Sequence, residues 1–151
     1  METGTYPFDS SLAQLGYITK TGDLSISDLQ YTEWSAGDSP FDGCEVTVTG
    51  IVTAGDEVYG ADEIYAIQSE SGGWNGIIFD GWEGAQFTLG DEVTVTGTVE
   101  EYDPVWHFRW DNNTKLINVA NSTVNSTGNS VLPVTVTTVN LAQESNVVES
   151  Y

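Results

Sequence analysis

One short stretch, residues 102–113, gathers the side chains of this sequence that are best suited to binding a ligand. Aromatic and basic side chains alternate along it: Trp106, His107, Phe108, Arg109 and Trp110. Since alternate residues of a strand share a face, the three rings would form one stacking surface. Rings beside a cation bind the bases of single-stranded nucleic acid, and rings flanked by carboxylates stack on the CH faces of sugars. These five residues and Trp74 are therefore the candidate ligand-binding residues.

The alternative for these rings is packing in a core, because strict alternation also turns one face of a strand inward. We expect Trp106 and Phe108 to be mainly buried, and Trp110, which precedes a turn, to contact the ligand. The same region supplies rare cations: Arg109 and Lys115 are two of the three Lys and Arg residues in the chain.

A second cluster contains only carboxylates and lies between the first two predicted strands. Asp56, Glu57, Asp62 and Glu63 fall within eight residues, and carboxylate oxygens are ligands that calcium prefers. Their spacing does not follow the order of an EF-hand loop, so a solvated acidic loop is the alternative. We therefore predict no cofactor, with calcium at these four residues as the one candidate.

The sequence offers little for catalysis. His107 has no Gly-x-Ser-x-Gly nucleophile motif to serve, and neither a P-loop nor a dinucleotide-binding glycine motif occurs. Glycosidases need two carboxylates at a defined separation, and among 23 acidic residues no spacing singles out a pair. Cys44 stands at the head of a predicted strand and is expected to be a small buried hydrophobe rather than a nucleophile. We expect a protein that is not an enzyme.

The charge balance limits the partners. Three Lys and Arg residues against 23 acidic residues give a formal net charge of −20, whereas proteins that bind duplex DNA neutralise its phosphates with cations. Duplex DNA is therefore excluded as a partner. No apolar run of about 18 residues occurs, so no membrane span is predicted. Many acids with abundant Ser and Thr fit a secreted or salt-adapted protein, and residues 1–15 lack the pattern of a signal peptide.

The elements that must position these residues are predicted to be strands. Alternation with a period of two, typical of half-buried strands, occurs in six segments: 45–52, 63–69, 76–80, 92–99, 105–110 and 114–119. The last two are predicted to pair as a hairpin across residues 111–113. Helical periodicity is almost absent, and the polar residues 120–132 are predicted to form a loop. Short strands at this spacing indicate an all-β barrel or sandwich.

Two segments have almost the same sequence. Residues 43–52 (GCEVTVTGIV) and 90–99 (GDEVTVTGTV) are identical at eight of ten positions, at an offset of 47. Two copies are too few for a repeat protein, so we interpret them as two strands with the same task. Each carries a mid-strand glycine, Gly50 or Gly97, where strong coiling would leave no room for a Cβ. They are the first and fourth strands, which lie side by side in a five-stranded OB barrel.

Glycine turns and alternating strands recur in a familiar order at residues 25–30, 37–40, 43–53, 66–68, 74–77, 90–99 and 132–133. Over about residues 25–140 this order resembles the OB-fold-like domain of secreted bacterial nucleases and of other exported multidomain proteins with surface or type IX secretion. The resemblance implies a module that accompanies a catalytic domain and carries no catalytic residue itself. Residues 103–113 depart from the pattern, since a shorter glycine-containing turn is usual there.

Together these observations predict an all-β fold. It is a five-stranded OB-like Greek-key barrel over residues 25–132, with an N-terminal arm (1–24) and a C-terminal extension strand or linker (133–151). The predicted function is a non-catalytic binding or spacer module of an exported protein, secreted or on the cell surface, with the adjoining domains of a larger protein as partners. Three alternatives stay open: single-stranded nucleic acid binding beside a nuclease, glycan binding, and a structural subunit that adds a C-terminal strand to a neighbour.

Overall fold

A computed structural model describes residues 23–31, 39–55, 64–81, 86–101 and 114–130. Within these ranges lie one short helix and five strands: α1 (Ile26–Gln30), β1 (Glu45–Ala54), β2 (Ile64–Gln68), β3 (Gly76–Asp80), β4 (Glu92–Glu100) and β5 (Lys115–Ser126). The strands predicted at 45–52, 63–69, 76–80 and 92–99 are confirmed within one or two residues at their described ends.

The five strands form a closed barrel in the order β1-β2-β3-β5-β4. Neighbouring strands are antiparallel except β3 and β5, which run parallel. This is the strand order of an OB fold, so the predicted all-β, OB-like barrel is confirmed, as is the side-by-side position of β1 and β4. Residues 1–22 of the predicted arm and residues 131–151, which include the predicted extension strand, lie outside the described ranges.

The barrel interior follows the alternation of the sequence. Along β1 the residues Val46, Val48 and Val52 are buried, and the intervening threonines face outward. In β4 each of the residues at 93, 95, 97 and 99 is buried in the same way. The aromatic part of the core is a cluster of three rings, in which Tyr65 stacks on Phe79 at 5.5 Å between centroids and Phe87 packs edge-on against both.

The two mid-strand glycines lie where neighbouring strands approach most closely. A Cβ on Gly50 would be 3.1 Å from the Cβ of Ile67, and a Cβ on Gly97 would be 3.0 Å from the carbonyl oxygen of Ile117. Gly97 also lies at an irregularity, because Thr96 pairs with Asn121 while Thr98 pairs with Ile117. A Cβ at either position would therefore require its neighbours to shift by a few tenths of an ångström, in agreement with the close approach that the sequence predicted.

The prediction of almost no helix is confirmed, but the sequence analysis did not place the one short helix, α1. Ser25 caps this helix, and Ser25 and Asp28 form a capping box in which each side chain bonds to the backbone N–H of the other residue. Ile26 and Leu29, one turn apart, are fully buried against the barrel. So short a helix is marginal by itself, and we infer that burial of these two side chains maintains it. The signals in the sequence were the Ser-x-x-Asp spacing and the i, i+3 apolar pair.

The last strand corrects two further predictions. β5 continues to Ser126 rather than giving way to a loop at residue 120, because its outward polar side chains pair with β4. Thr123 lies opposite Thr94, and the Asn125 side chain donates to the hydroxyl of Thr94 at 2.9 Å. The hairpin predicted between 105–110 and 114–119 is not formed at residues 115 and 116, since both edges there already pair with β3 and β4.

Candidate ligand-binding corner

Of the predicted site residues, Trp74 is the one that the structure describes. The other candidate ligand-binding residues lie outside the described ranges: Trp106, His107, Phe108, Arg109 and Trp110. The predicted calcium ligands also lie outside them: Asp56, Glu57, Asp62 and Glu63. All ten site assignments remain predictions. The structure shows the position of Trp74 alone among these residues.

Trp74 lies in the seven-residue connection between β2 and β3. The connection is closed at its base, where the backbone N–H of Ser69 donates to the carbonyl oxygen of Asn75 at 2.9 Å. Gly72, with φ +109°, lies at the reversal of the chain within this connection. Trp74 has φ 67°, a left-handed conformation that is uncommon for a bulky side chain. The chain therefore holds a large ring where glycine or asparagine would fit more easily.

The Trp74 ring packs edge-to-face against Tyr31, with 5.7 Å between ring centroids and 77° between ring planes. Tyr31 directly follows α1, and its backbone N–H donates to the carbonyl oxygen of Ser27 at 3.0 Å. The Tyr31 side chain is 52% exposed, and Trp74 is half-buried. Two aromatic side chains thus meet at the protein surface, one from the end of the helix and one from the β2–β3 turn.

Gln30 fixes the helix end to the barrel. Its Nε2 donates to the carbonyl oxygen of Gly76 at 2.8 Å and approaches that of Thr114 at 3.5 Å. Gly76 begins β3, and Thr114 is the residue at which the aromatic stretch 102–113 returns to the barrel. The aromatic pair therefore lies beside the point where the sequence-predicted ligand-binding stretch rejoins the fold.

Two more carboxamides lie at the ends of the connection that carries Trp74. The Nε2 of Gln68 donates to the carbonyl oxygen of Glu70 at 2.6 Å, and the Nδ2 of Asn75 donates to that of Gly73 at 3.0 Å. We call the surface formed by these side chains and the aromatic pair the hairpin corner: Gln30, Tyr31, Gln68, Trp74 and Asn75. It continues into the outer face of β2 and β3, where half-buried Ala66 lies opposite half-buried Ile78.

The charges near this surface are mostly negative. Among the residues that the structure describes, Lys115 is the single Lys or Arg, and its Nζ lies 3.2 Å from a carboxylate oxygen of Glu100 and 3.9 Å from one of Asp80. Its charge is thus matched by two carboxylates where β3, β4 and β5 meet. Lys115, which the sequence grouped with the aromatic stretch, serves as an ion-pair residue of the barrel wall.

Two further observations concern chemistry elsewhere in the fold. Cys44, half-buried directly before β1, packs against the core, and burial together with the nearby Asp42 carboxylate raises the pKa of its thiol. This agrees with the predicted apolar role. Across the described ranges, no group of three or more His, Cys, Asp or Glu side chains is placed to hold a metal ion.

No protein-family model matches this sequence, and the curated proteins contain no match to it. Among solved structures, the chain is similar to an OBody bound to hen egg-white lysozyme. The two are 22% identical, the similarity covers 64% of this chain and 96% of that one, and the TM-score is 0.44. In the described part of the chain, no helix has the length and apolar character needed to cross a membrane.

Sequence reasoning missed Gln30 and Tyr31 as parts of the site. Their positions depend on α1, whose docking brings residues 30 and 114 into contact across 84 positions of sequence. The capping box would have located the start of the helix, but not its last residue or the exposed tyrosine that follows it. It would not have placed that tyrosine against Trp74, because this contact exists only once the barrel has closed.

Proposed function

We propose that this protein is a non-catalytic binding module that holds its ligand at the hairpin corner and along the outer face of β2 and β3. The observation that carries the proposal is Trp74, kept at φ 67° in contact with the 52% exposed ring of Tyr31. A backbone held in a sparsely populated region costs about 1–3 kcal/mol and clusters at ligand clamps. Trp74 keeps this backbone conformation although its side chain is only partly buried.

The position of the corner supports the same function. OB folds bind their ligands on the face of strands 2 and 3, between the loop after strand 1 and the loop between strands 4 and 5. Here the aromatic pair borders that face at the start of β3, and Thr114 marks the end of the connection between β4 and β5. The predicted aromatic stretch 102–113 belongs to this same connection. A module of this kind would act beside the other domains of an exported protein.

A spacer would share the barrel but would not need the aromatic pair, so substitutions at the pair distinguish the two roles. We would compare Trp74→Asn and Tyr31→Ala with Leu89→Asn. Leu89 is 53% exposed and precedes β4, at the end of that strand remote from Thr114. It is therefore a matched control for loss of an exposed apolar side chain.

The probes are neutral soluble polysaccharides, single-stranded oligothymidylate and an unstructured polypeptide, each titrated by calorimetry. We expect at least one probe to bind the native protein and to lose about tenfold in affinity, about 1.4 kcal/mol, with each corner variant but not with Leu89→Asn. Equal affinity of all four proteins, or no binding of any probe, would contradict the proposal.

A further inference from the structure

We infer that the ligand of the hairpin corner is a neutral carbohydrate chain; this inference rests on the proposed function and narrows it to one ligand class. Three properties of the corner carry it: fixed hydrogen-bond acceptors, exposed ring surface, and the absence of any unmatched cation in the described part of the protein.

The acceptors come from three carboxamides with fixed orientations. The nitrogen atoms of Gln30, Gln68 and Asn75 each donate to a backbone carbonyl, at 2.8, 2.6 and 3.0 Å respectively. Within the described residues no donor reaches the oxygen atoms of these three amides, and each such oxygen accepts hydrogen bonds. Each amide NH2 also keeps a second N–H, so the corner presents acceptors together with donors and is matched by a ligand that both donates and accepts. Sugar hydroxyl groups do both, whereas ionised phosphate, sulfate and carboxylate groups only accept.

The aromatic pair adds the apolar part of the surface. The rings of Tyr31 and Trp74 meet edge-to-face at an angle of 77°, so their contact covers only part of each ring. Tyr31 is 52% exposed, and ring surface therefore remains open to solvent. Tyrosine and tryptophan combine large apolar faces with a polar group and change little in conformational entropy when they bind. A sugar ring matches such a surface, because its axial CH groups form an apolar face and its hydroxyls project from the edge.

The charge disfavours the polyanionic alternatives. The chain carries a net charge of −20, and binding to a nucleic acid strand depends on cations that displace condensed counterions. Lys115 is already matched by Glu100 and Asp80. A phosphate chain laid along β2 and β3 would meet Asp80 at the end of β3 with no unmatched cation in the described structure to offset the repulsion. Single-stranded nucleic acid, which the sequence left open, is thus disfavoured against a neutral polysaccharide.

The test compares the binding of neutral polysaccharides with that of charged polymers. The native protein would be titrated with glucans, mannans, xylans and galactans, with dextran beside dextran sulfate, and with oligothymidylate. We expect binding to at least one neutral polysaccharide, with an affinity that changes less than about twofold between about 0.05 and 0.5 M NaCl, since no counterions are released. Dextran sulfate and oligothymidylate should not bind.

Two variants link that binding to the corner. Trp74→Asn should weaken it about tenfold, and Gln68→Met, which removes one acceptor at equal length, about fivefold, while Leu89→Asn leaves it unchanged. Binding of the polypeptide or oligothymidylate through Trp74, without any neutral polysaccharide, would overturn the carbohydrate inference and leave the proposed function standing. Polysaccharide binding that both Trp74→Asn and Gln68→Met retain would overturn the inference and the proposed function.

Discussion

The carbonyl oxygen of Asn129 lies 2.7 Å from the position that a Cβ on Gly90 would occupy. In return the backbone N–H of Asn129 donates to the carbonyl oxygen of Gly90 at 2.8 Å, and its side-chain amide donates to the same oxygen at 3.0 Å. Gly90 begins the second of the two similar segments, so this contact ties the start of β4 to the residues that follow β5.

Gly90→Ala is expected to be more destabilising than Gly128→Ala. Both glycines have positive φ, +89° and +72°, but a Cβ on Gly128 would meet nothing within 4 Å. Gly128→Ala should therefore cost only the left-handed backbone strain of an L-residue, about 1 kcal/mol. Gly90→Ala adds a backbone clash and should cost about 3 kcal/mol in all. Urea unfolding of both variants measures the difference, and equal losses would mean that the Asn129 contact is not as close as described.

The second prediction concerns the helix that packs against the barrel. Leu29→Ala should lower the free energy of unfolding by about 2–5 kcal/mol, because it removes a fully buried side chain and leaves a cavity. Ser27→Ala, on the same helix and half-buried, is the control; it loses only the hydrogen bond to the Ser25 hydroxyl and should change the free energy of unfolding by about 1 kcal/mol or less. If the two variants unfolded at the same urea concentration, α1 would not contribute to the core.

Lys115 provides a prediction on ionic strength. Lys115→Met removes the cation that lies between Glu100 and Asp80, and should cost about 1 kcal/mol at low salt, as partly exposed ion pairs do. The loss should shrink at about 1 M NaCl, where charges are screened within about 3 Å. Lys115→Arg, which keeps the charge, should stay close to the native protein. A loss for Lys115→Met that is equally large at both salt concentrations would indicate packing of the lysine stem instead.

Cys44 gives a prediction on reactivity. Because burial, and to a lesser extent the Asp42 carboxylate, raises the pKa of its thiol, little thiolate forms at neutral pH and thiolate is the reactive species. Ellman's reagent at about pH 7.5 should label the folded protein at least about tenfold more slowly than the urea-unfolded protein. Equally fast labelling of both states would contradict the burial of Cys44.

The same raised pKa predicts a change in stability at alkaline pH. Below the pKa of the thiol in the unfolded chain, both states are protonated and the contribution of Cys44 to stability is fully present. It is lost as the pH rises through the higher pKa of the folded state, because the unfolded chain releases its proton first. Cys44→Ser, which does not ionise there, should show a smaller alkaline decline in its urea midpoint than the native protein. An identical decline would assign the effect to other groups.

How far the sequence could predict the fold depends on where each residue finds its partners. The burial of Val46, Val48 and Val52 follows from alternation, a local property, and the need for Gly50 and Gly97 follows from the same strands. The helix α1 was missed because its stability comes from the barrel against which Ile26 and Leu29 pack, which no five-residue window shows. The extent of β5 was missed because polar Asn, Ser and Thr residues look like a loop until β4 supplies partners for them.

The candidate site could likewise be predicted from the sequence only in part. Trp74 could be selected from its residue type, but its left-handed backbone and its contact with Tyr31 depend on the turn geometry and on the docking of α1. The carboxamides of Gln30 and Gln68 carry no signal in the sequence, since glutamines on a surface are common. Their importance comes from the backbone carbonyls that orient them. The carbonyl of Gly76 reaches Gln30 only in the folded barrel, whereas that of Glu70 lies two residues from Gln68.

The last prediction separates the stability of Trp74 from its function. In Trp74→Asn the ring contact with Tyr31, worth about 0.5–1.5 kcal/mol, is lost, but asparagine adopts the left-handed conformation more readily and relieves strain of similar size. The free energy of unfolding should therefore change by less than about 1 kcal/mol, whereas Phe79→Ala, which truncates a fully buried ring, should lose about 3–5 kcal/mol. Urea unfolding of the two variants, followed by far-UV circular dichroism, makes the comparison. A loss for Trp74→Asn as large as that for Phe79→Ala would show that the ring is held by packing, and the strain at residue 74 would then no longer indicate a ligand.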